Sequence, residues 1–222
     1  MKMQQYDVKL IGQTPLLMHR DNVTFFERVQ AWQKDPANKK LSVSGDDRSP
    51  AWTWIGYTYH DGRVLGMPSD NLMTMLREGG SKLIQKGATT YKKQTQAGIM
   101  LDQQQFDLLL DGETVPVDPI RELIGETDFN QHLDLVEDLG FELFVKRARV
   151  VKSKHIRVRP LFREWVLTGS LTVLDEKQSG LTRQVLETIL KQAGGLCGIG
   201  DWRPSSNASG TFGRFSVELK KR

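Results

Sequence analysis

The sequence predicts an α+β fold in which two helices pack on an antiparallel sheet in the order β-α-β-β-α-β. Tyr6 to Ile11 alternates apolar and polar residues, the period of a strand with one buried face. Apolar residues recur at helical spacing over residues 69–83 and 181–193. Alternating segments at 165–173 and 215–219 place the second helix between two strands.

Residues 25–67 are predicted to form a short helix, a loop and two strands. Residues 25–32 favour a short helix, and residues 34–50 form a polar loop with two prolines and a glycine. The aromatic-rich segment 52–59 and residues 64–67 favour strands around a turn at 60–62. These assignments depend on short patterns.

Pro68-Ser69-Asp70 supplies a start for the first helix. Gly79-Gly80 crosses that helix, and each interior glycine costs about 1 kcal/mol relative to alanine. The helix therefore either ends at this pair or approaches another backbone closely there.

Two strands are predicted at 141–151 and 155–158, with Pro160 closing the second. His155, Arg157 and Arg159 fall on one face of that strand because side chains alternate along it. We call these three residues the basic row and expect it to lie beside the C-terminal glycine-rich loop.

Ser179 or Thr182 can cap the second helix, and Gly194 is expected to end it. The segment that follows, GGLCGIGDWRPSSNASGTFGRF, holds six of the 20 glycines in its 22 residues. Its GIGDWR start lacks the third glycine of a dinucleotide fingerprint and lies after a helix, which excludes a nucleotide-cofactor loop. The glycines permit close approach of either a nucleic-acid strand or a neighbouring subunit.

Composition indicates a globular protein, and its length fits one large domain or two small ones. We expect a single domain, 1–222, with elaborations at about 21–60 and 87–140. The sequence has no apolar run long enough for a membrane span and no signal-peptide core, so we expect a cytoplasmic protein without membrane partners. A single cysteine, Cys197, excludes an internal disulfide and favours a small, partly buried residue. Four histidines without paired spacing predict no metal site, and no cofactor is expected.

Charge is unevenly distributed. Lys146 to Arg163 contains eight Lys or Arg and no acid, so the rest of a chain of net charge +4 carries −4. Gly98 to Gly140 has eleven Asp or Glu against Arg121 alone. Such separation can attract a polyanion to one face, or the two segments can neutralise each other within the fold or between subunits.

Two residue environments leave alternatives open. Trp202 and Arg203 can stack on bases, or the tryptophan can pack on the sheet while the arginine pairs with an acid. His19, beside Arg20, can act as a general acid or base in metal-independent RNA cleavage, or can make an ordinary turn or ligand contact.

The residues expected to contact nucleic acid are cationic or aromatic and lie in four parts of the chain. They are Arg20, Lys92, Lys93, Lys146, Arg147, Arg149, Lys152, Lys154, His155, Arg157, Arg159, Trp202, Arg203 and Arg214.

Two segments resemble the repeat-associated mysterious protein (RAMP) superfamily, the RNA-recognition-fold proteins of CRISPR systems. The glycine-rich loop between a helix and the last strand is one. The other is VLGMPSDNLMTMLREGG, similar to the I-P-G-S-S-L-x-x-x-L-R entry to that superfamily's first helix. The residues that match this pattern are Pro68, Ser69, Leu72, Leu76 and Arg77; Asp70 and Asn71 depart from it. The ending GIGDWRP is also similar to small phage-borne proteins.

The resemblance implies a ferredoxin-like, RNA-recognition-type sheet with inserted lobes. It also implies a non-enzymatic protein that binds single-stranded nucleic acid, RNA more than DNA, and multimerises along it like CRISPR effector backbone subunits. Expected partners are the strand and further copies, as an oligomer or filament, alone or within a multi-subunit complex. The alternatives are a metal-independent RAMP-type endoribonuclease using His19, and a structural phage protein whose basic segment is a subunit interface.

Overall fold

The computed structural model describes residues 3–150 and 153–222 as an α+β protein of antiparallel sheets and helices. The strands are β1 (Gln4–Gly12), β2 (Leu16–Leu17), β3 (Gly66–Pro68), β4 (Ile84–Lys86), β5 (Thr89–Thr90), β6 (Ile99–Leu101), β7 (Gln105–Leu110), β8 (Glu113–Thr114), β9 (Glu142–Val150), β10 (Ser153–Phe162), β11 (Val166–Val173) and β12 (Phe215–Lys221). The α-helices are α1 (Val23–Lys34), α2 (Ser69–Lys82), α3 (Lys92–Gly98), α4 (Asp118–Glu122), α5 (Phe129–Asp138), α6 (Glu176–Ser179) and α7 (Arg183–Gln192). Short 3₁₀ helices cover Pro36–Asn38 and Ala51–Tyr57.

The chain divides into two compact units. Unit 1 comprises the residues up to Leu16 together with His60–Val115 and Arg163–Arg222. Unit 2 comprises Leu17–Tyr59 and Pro116–Phe162. Of the two elaborations predicted from sequence, the first lies almost wholly in unit 2, and the second is divided between the units.

Unit 1 is built on a sheet in the order β12-β1-β11-β7-β3, with β6 paired to β11 and β8 to β7. The predicted alternation of β1 is confirmed: Tyr6, Val8 and Leu10 are buried, while Lys9 is exposed. Helices α2 and α7 pack on one another, and α7 also packs on β12. The buried face of the sheet and these helices form the core of unit 1.

The glycine pair in α2 brings two helices together. The helix continues past Gly79-Gly80 to Lys82, so it does not end at the glycines. A Cβ on Gly79 would lie 2.6 Å from the Ile189 carbonyl oxygen and 2.8 Å from Ala193 Cβ. Close backbone approach, the second of the two alternatives, is therefore the reason for a glycine here.

Helix α7 begins as predicted, because the Thr182 hydroxyl accepts a hydrogen bond from Val185 N at 3.3 Å. The prediction that Gly194 ends it is wrong. The chain continues through a π-helical turn, Ala193–Cys197, and stops at Gly198, whose φ is +70°. Gly198 N donates to the Ala193 carbonyl at 2.8 Å, so the left-handed glycine terminates the helix four residues later than expected.

Unit 2 holds a three-stranded sheet in the order β2-β10-β9. Residues 52–59 are not a strand, because Ala51–Tyr57 forms a 3₁₀ helix whose residues are all buried. The Thr53 and Thr58 hydroxyls reinforce it by donating to carbonyls three residues back, both at 2.7 Å. Apolar composition without alternation does not separate a buried helix from a buried strand, which explains the error.

Strand β10 also continues beyond its predicted end. Pro160 lies inside the strand, which extends to Phe162. The Pro160 carbonyl accepts a hydrogen bond from Met18 N at 3.1 Å, so the pairing persists although proline offers no N–H.

His132 ties α5 into the core of unit 2. Trp54 Nε1 donates to His132 Nδ1 at 3.1 Å, and His132 Nε2 lies 3.1 Å from the Glu126 carbonyl, to which it donates. The ring is therefore neutral, with its proton on Nε2. Burial lowers the pKa of His132 below its ordinary value of 6.5.

We expect the stability of unit 2 to fall as the pH is lowered through about 6.5, because the unfolded chain then binds a proton that folded His132 does not. One such group changes the free energy of unfolding by at most about 1.4 kcal/mol per pH unit. Urea midpoints measured from pH 8 to pH 5 test this. His132→Gln should show a flatter profile, and equal profiles for the two proteins would contradict the assignment.

In the part of the chain described, no helix combines the length and apolar character that crossing a membrane requires.

Candidate nucleic-acid interface

The most basic surface is the antiparallel pair β9–β10, which we call the basic hairpin. Lys146, Arg147 and Lys154 are exposed on it. In the register, Lys146 lies opposite Arg157. The three exposed cations on one strand pair form a positively charged surface.

The basic hairpin does not lie where the sequence suggested. It belongs to the β2-β10-β9 sheet of unit 2, whereas the glycine-rich loop and β12 belong to unit 1. The expectation that the basic row and the loop flank one sheet is therefore wrong. Strand β7 takes the place in the larger sheet that the hairpin was expected to fill. Lys152, another predicted contact, lies outside the described residues.

A buried carboxylate forms ion pairs with two members of the basic row. Asp47 is 6% exposed, and its Oδ1 accepts from Arg157 Nη1 at 3.0 Å. Its Oδ2 accepts from Arg159 Nη1 at 3.1 Å, from Val158 N at 3.2 Å and from the Tyr57 hydroxyl at 3.2 Å. Arg159 is only 9% exposed. Arg159 is therefore an interior residue, and Arg157 is half-buried.

The segment that carries Asp47 lies along the edge of β10. Ile156 N donates to the Gly45 carbonyl at 2.8 Å, and Asp47 N donates to the Ile156 carbonyl at 3.0 Å. A Cβ on Gly45, whose φ is +77°, would lie 2.7 Å from His155 Nδ1. His155 is therefore half covered by backbone, and the outer part of the hairpin offers the accessible cations.

His19 belongs to the same cluster. Its Nε2 lies 3.4 Å from Arg159 Nη2, and its ring meets Tyr57 edge-on at 5.0 Å. A guanidinium only donates, so Nε2 is the acceptor in this contact. The Arg159 guanidinium also lies 3.9 Å from the centre of the Tyr57 ring. His19 is thus in contact with the cation of Arg159, a residue distant in sequence. The backbone N–H of its sequence neighbour Arg20 donates to the Tyr57 carbonyl at 3.0 Å.

In the glycine-rich loop, Arg203 pairs with an acid. Its Nη2 lies 3.2 Å from Glu78 Oε1, and its Nε donates to the Ser205 hydroxyl at 3.0 Å. The Ser205 hydroxyl in turn donates to Glu78 Oε2 at 2.5 Å. The Arg203 guanidinium is therefore held against α2. Of the two roles that the sequence left open, stacking on bases or pairing with an acid, the structure shows the pairing.

The loop folds back on itself around Trp202, whose φ is +47°. The Trp202 ring is half-buried and lies nearly parallel to Phe212 with centroids 6.4 Å apart. The guanidinium of Arg214 bonds to the Gly195 carbonyl. Both side chains thus contact the loop itself.

The open face of the unit 1 sheet is balanced in charge. Its cavity of about 520 Å³ is lined by three acids and three bases. They are Asp7, Asp107, Glu218, Lys9, Lys220 and Arg222. The lining, which consists of described residues, contains no aromatic ring for base stacking. The charges that line this cavity therefore sum to zero, whereas the basic hairpin exposes three cations.

Other chemistry is not favoured. Cys197 is fully buried, and burial together with the neighbouring Glu78 charge raises the pKa of its thiol, so the nucleophilic thiolate is disfavoured. Within residues 3–150 and 153–222, no cluster of three or more His, Cys, Asp or Glu side chains is placed to hold a metal ion.

The chain matches no protein-family model and no curated protein.

Proposed function

We propose that the protein binds single-stranded nucleic acid, RNA in preference to DNA, and multimerises along it without cleaving it. The observation that carries the proposal is the basic hairpin, on which Lys146, Arg147 and Lys154 are exposed. Such a surface gains affinity by releasing the counterions of phosphates, whatever the base sequence. The preference for RNA depends on the RAMP resemblance.

The strand order of unit 1 supports a RAMP-type, ferredoxin-like assignment. Along the chain, the strands β1, β7, β11 and β12 are separated by α2 after the first and by α7 before the last. They lie in the sheet as fourth, first, third and second, all antiparallel. A β-α-β-β-α-β unit of the split βαβ type has this arrangement.

The charge of unit 2 supports self-association. A negatively charged surface lies on helices α4 and α5 and the segment that connects them, where six carboxylates are exposed. Its charge is opposite to that of the basic hairpin. These acids are Asp118, Glu122, Asp128, Asp134, Glu137 and Asp138. Complementary patches on different surfaces of one molecule produce head-to-tail contacts, which form filaments when the ring does not close.

We expect Arg147→Glu/Lys154→Glu to weaken binding of a labelled single-stranded RNA more than tenfold at low salt. Two lost phosphate contacts should reduce the slope of log K against log salt by about 1.4, at about 0.7 per contact. Fluorescence anisotropy over a salt titration measures both quantities. Lys39→Glu/Lys40→Glu is the matched control, because it makes the same charge change at exposed residues of the same unit.

Two outcomes contradict the proposal. One is flat, weak binding of the unaltered protein to single-stranded RNA, single-stranded DNA and duplex DNA. The other is an equal loss of affinity in the control variant, since net charge alone would then explain binding.

The second candidate function is metal-independent RNA cleavage by His19. The observation that favours it is the Arg159 guanidinium 3.4 Å from His19 Nε2, because an imidazole beside a cation can exchange protons at a phosphate. The titration samples, run on a denaturing gel, test it. Cleavage that is lost in His19→Ala while binding persists favours the enzyme, and intact strands exclude it.

A further inference from the structure

We infer that two copies of the chain associate by pairing their β9 strands edge to edge, antiparallel, about a two-fold axis at Phe144. The pairing joins the two β2-β10-β9 sheets into one continuous sheet. This contact goes beyond the proposed function, because it needs no nucleic acid and is closed by its symmetry, whereas a head-to-tail contact is open.

Strand β9 has an outer edge that its own sheet does not use. It lies last in the order β2-β10-β9, and among the described residues it pairs with β10 alone. On the side of β10 away from β9, Ile156 N donates to the Gly45 carbonyl, and the Ile156 carbonyl accepts from Asp47 N. Backbone groups alternate in direction along a strand, so the next residue, Arg157, bonds toward β9, where its partner is Lys146.

The outward-facing backbone groups of β9 therefore belong to Leu143 and Val145, which alternate with the residues that bond to β10. Within residues 3–150 and 153–222, neither residue forms a hydrogen bond through its outward N–H or carbonyl. Val145 is 44% exposed although its side chain is aliphatic. Phe141 N already donates to the Val136 carbonyl at 2.9 Å, so the usable edge begins after Phe141. Such an edge is a template for a second strand.

The fold covers the comparable edge in unit 1. Strand β12 lies at the end of its sheet and packs against α7 and the π-helical turn. Arg183 Nη2 donates to the Leu219 carbonyl at 3.4 Å, and a Cβ on Gly194 would collide with the Phe215 carbonyl oxygen. The outward groups of β9 lack such a cover among the described residues, and a strand from a second copy supplies one.

The sequence of β9 is complementary to itself in one antiparallel register. With Phe144 of one copy opposite Phe144 of the other, Lys146 lies opposite Glu142 of the second copy at each end of the contact. Val145 then lies opposite Leu143, so the outward N–H and carbonyl groups of the two strands face one another. Aromatic pairs and pairs of opposite charge are the cross-strand contacts that stabilise a sheet.

The charges of β9 select this register over its neighbours. An axis at Lys146 would bring two ammonium groups together, which is destabilising. An axis at Val145 would place Lys146 opposite Phe144 and Glu142 opposite Ala148, so neither charge would meet its opposite. Charged residues on an edge strand prevent indiscriminate pairing. A second copy of β9 therefore fits this edge better than an arbitrary extended peptide.

Sedimentation velocity over a range of protein concentrations, without nucleic acid, should show a monomer–dimer equilibrium. Val145→Pro removes an outward N–H that makes no bond within the chain, so it should weaken dimerisation at least about tenfold without unfolding unit 2. Val145→Thr, which keeps the N–H and the β-branched shape, is the matched control. A monomer at every concentration, or equal dimerisation of the two variants, would overturn the inference.

A charge exchange tests the register. Lys146→Glu should weaken dimerisation at least about threefold, because like charges then face each other at both ends of the contact. Lys146→Glu combined with Glu142→Lys should restore it, since opposite charges meet again. Lys39→Glu makes the same charge change at an exposed residue of unit 2 and should leave dimerisation unchanged. Failure of the double variant to recover would contradict the register.

Cysteine cross-linking tests the axis and remains informative if the proline variant does not fold. Phe144→Cys places two thiols directly across the strand pair, and mild oxidation should produce a disulfide-linked dimer on a non-reducing gel. Val145→Cys is more exposed but lies diagonal to its own copy, too far for a disulfide, and should stay monomeric. The native Cys197 is fully buried. Equal cross-linking of the two variants would contradict an axis at Phe144.

The β9 contact and the proposed function fail in different ways. A protein that is monomeric in every sedimentation experiment but binds single-stranded RNA with a steep salt slope retains the proposed function and lacks the β9 contact. A protein that dimerises, cross-links through Phe144→Cys and binds no strand retains the contact and lacks the proposed function.

Discussion

Asp47→Ala is expected to lower the free energy of unfolding of unit 2 by about 3–5 kcal/mol, the range for removing one partner of a buried ion pair. The Asp47 carboxylate accepts from two guanidinium groups, one hydroxyl and one backbone N–H. Its removal leaves the buried Arg159 charge without this counterion. The free-energy cost of leaving this charge uncompensated in the interior is larger than the free energy that the lost hydrogen bonds contribute.

Urea unfolding followed by circular dichroism measures this effect. Arg48→Ala is the matched control: it breaks an ion pair with Asp46 in the same segment, but the Arg48 side chain is 43% exposed. We expect the control to cost less than about 1 kcal/mol. Asp47→Asn, which keeps the shape and one acceptor, should fall between the two. A loss below 1 kcal/mol in Asp47→Ala would show that Arg159 is compensated by other groups.

The secondary-structure elements that were predicted correctly from the sequence each bury a single face. Strand β1 and helices α2 and α7 place apolar residues on one side and polar residues on the other, so their period is visible in the sequence. The segment Ala51–Tyr57 is buried on every side and therefore carries no period. Helices α3, α4 and α6 have seven, five and four residues, too few for a helical period to be evident in the sequence. Helix α5 has ten residues, as many as α7, and was not predicted from the sequence.

Sheet membership could not be predicted either. Alternation in β9 and β10 indicates strands but not which strands they pair with, because pairing depends on contacts between distant residues. The sequence therefore placed the basic hairpin in the larger sheet, where β7 lies instead. A short strand such as β2 carries too few residues to reveal a second sheet.

The candidate site could also be predicted only in part. The number of cations between Lys146 and Arg163 is evident from sequence, but their partners are not. Asp47 lies 110 residues before Arg157 in the chain, in a polar loop where no pattern distinguishes it from solvated acids. Charge counts therefore located the basic segment and did not show that Arg159 is an interior residue.

Gly213→Ala is expected to lower the free energy of unfolding of unit 1 by at least about 2 kcal/mol and to disorder the glycine-rich loop. Gly213 has φ of +70°, which costs an L-residue about 1–2 kcal/mol. Its Cβ would also collide with the Ile199 carbonyl oxygen. Gly213 N donates to the Pro15 carbonyl at 2.8 Å and its own carbonyl accepts from Ile199 N at 2.9 Å, so the backbone cannot move aside without losing these bonds.

Gly195→Ala provides the control within the same loop, because no atom lies within 4 Å of a Cβ built there and its φ is not positive. It should leave stability unchanged or raise it by up to about 1 kcal/mol, since alanine restricts the unfolded chain. Urea midpoints for the two variants measure the contrast. If both alanines are tolerated equally, the loop glycines do not serve close backbone packing, and their concentration between α7 and β12 then needs an external partner to explain it.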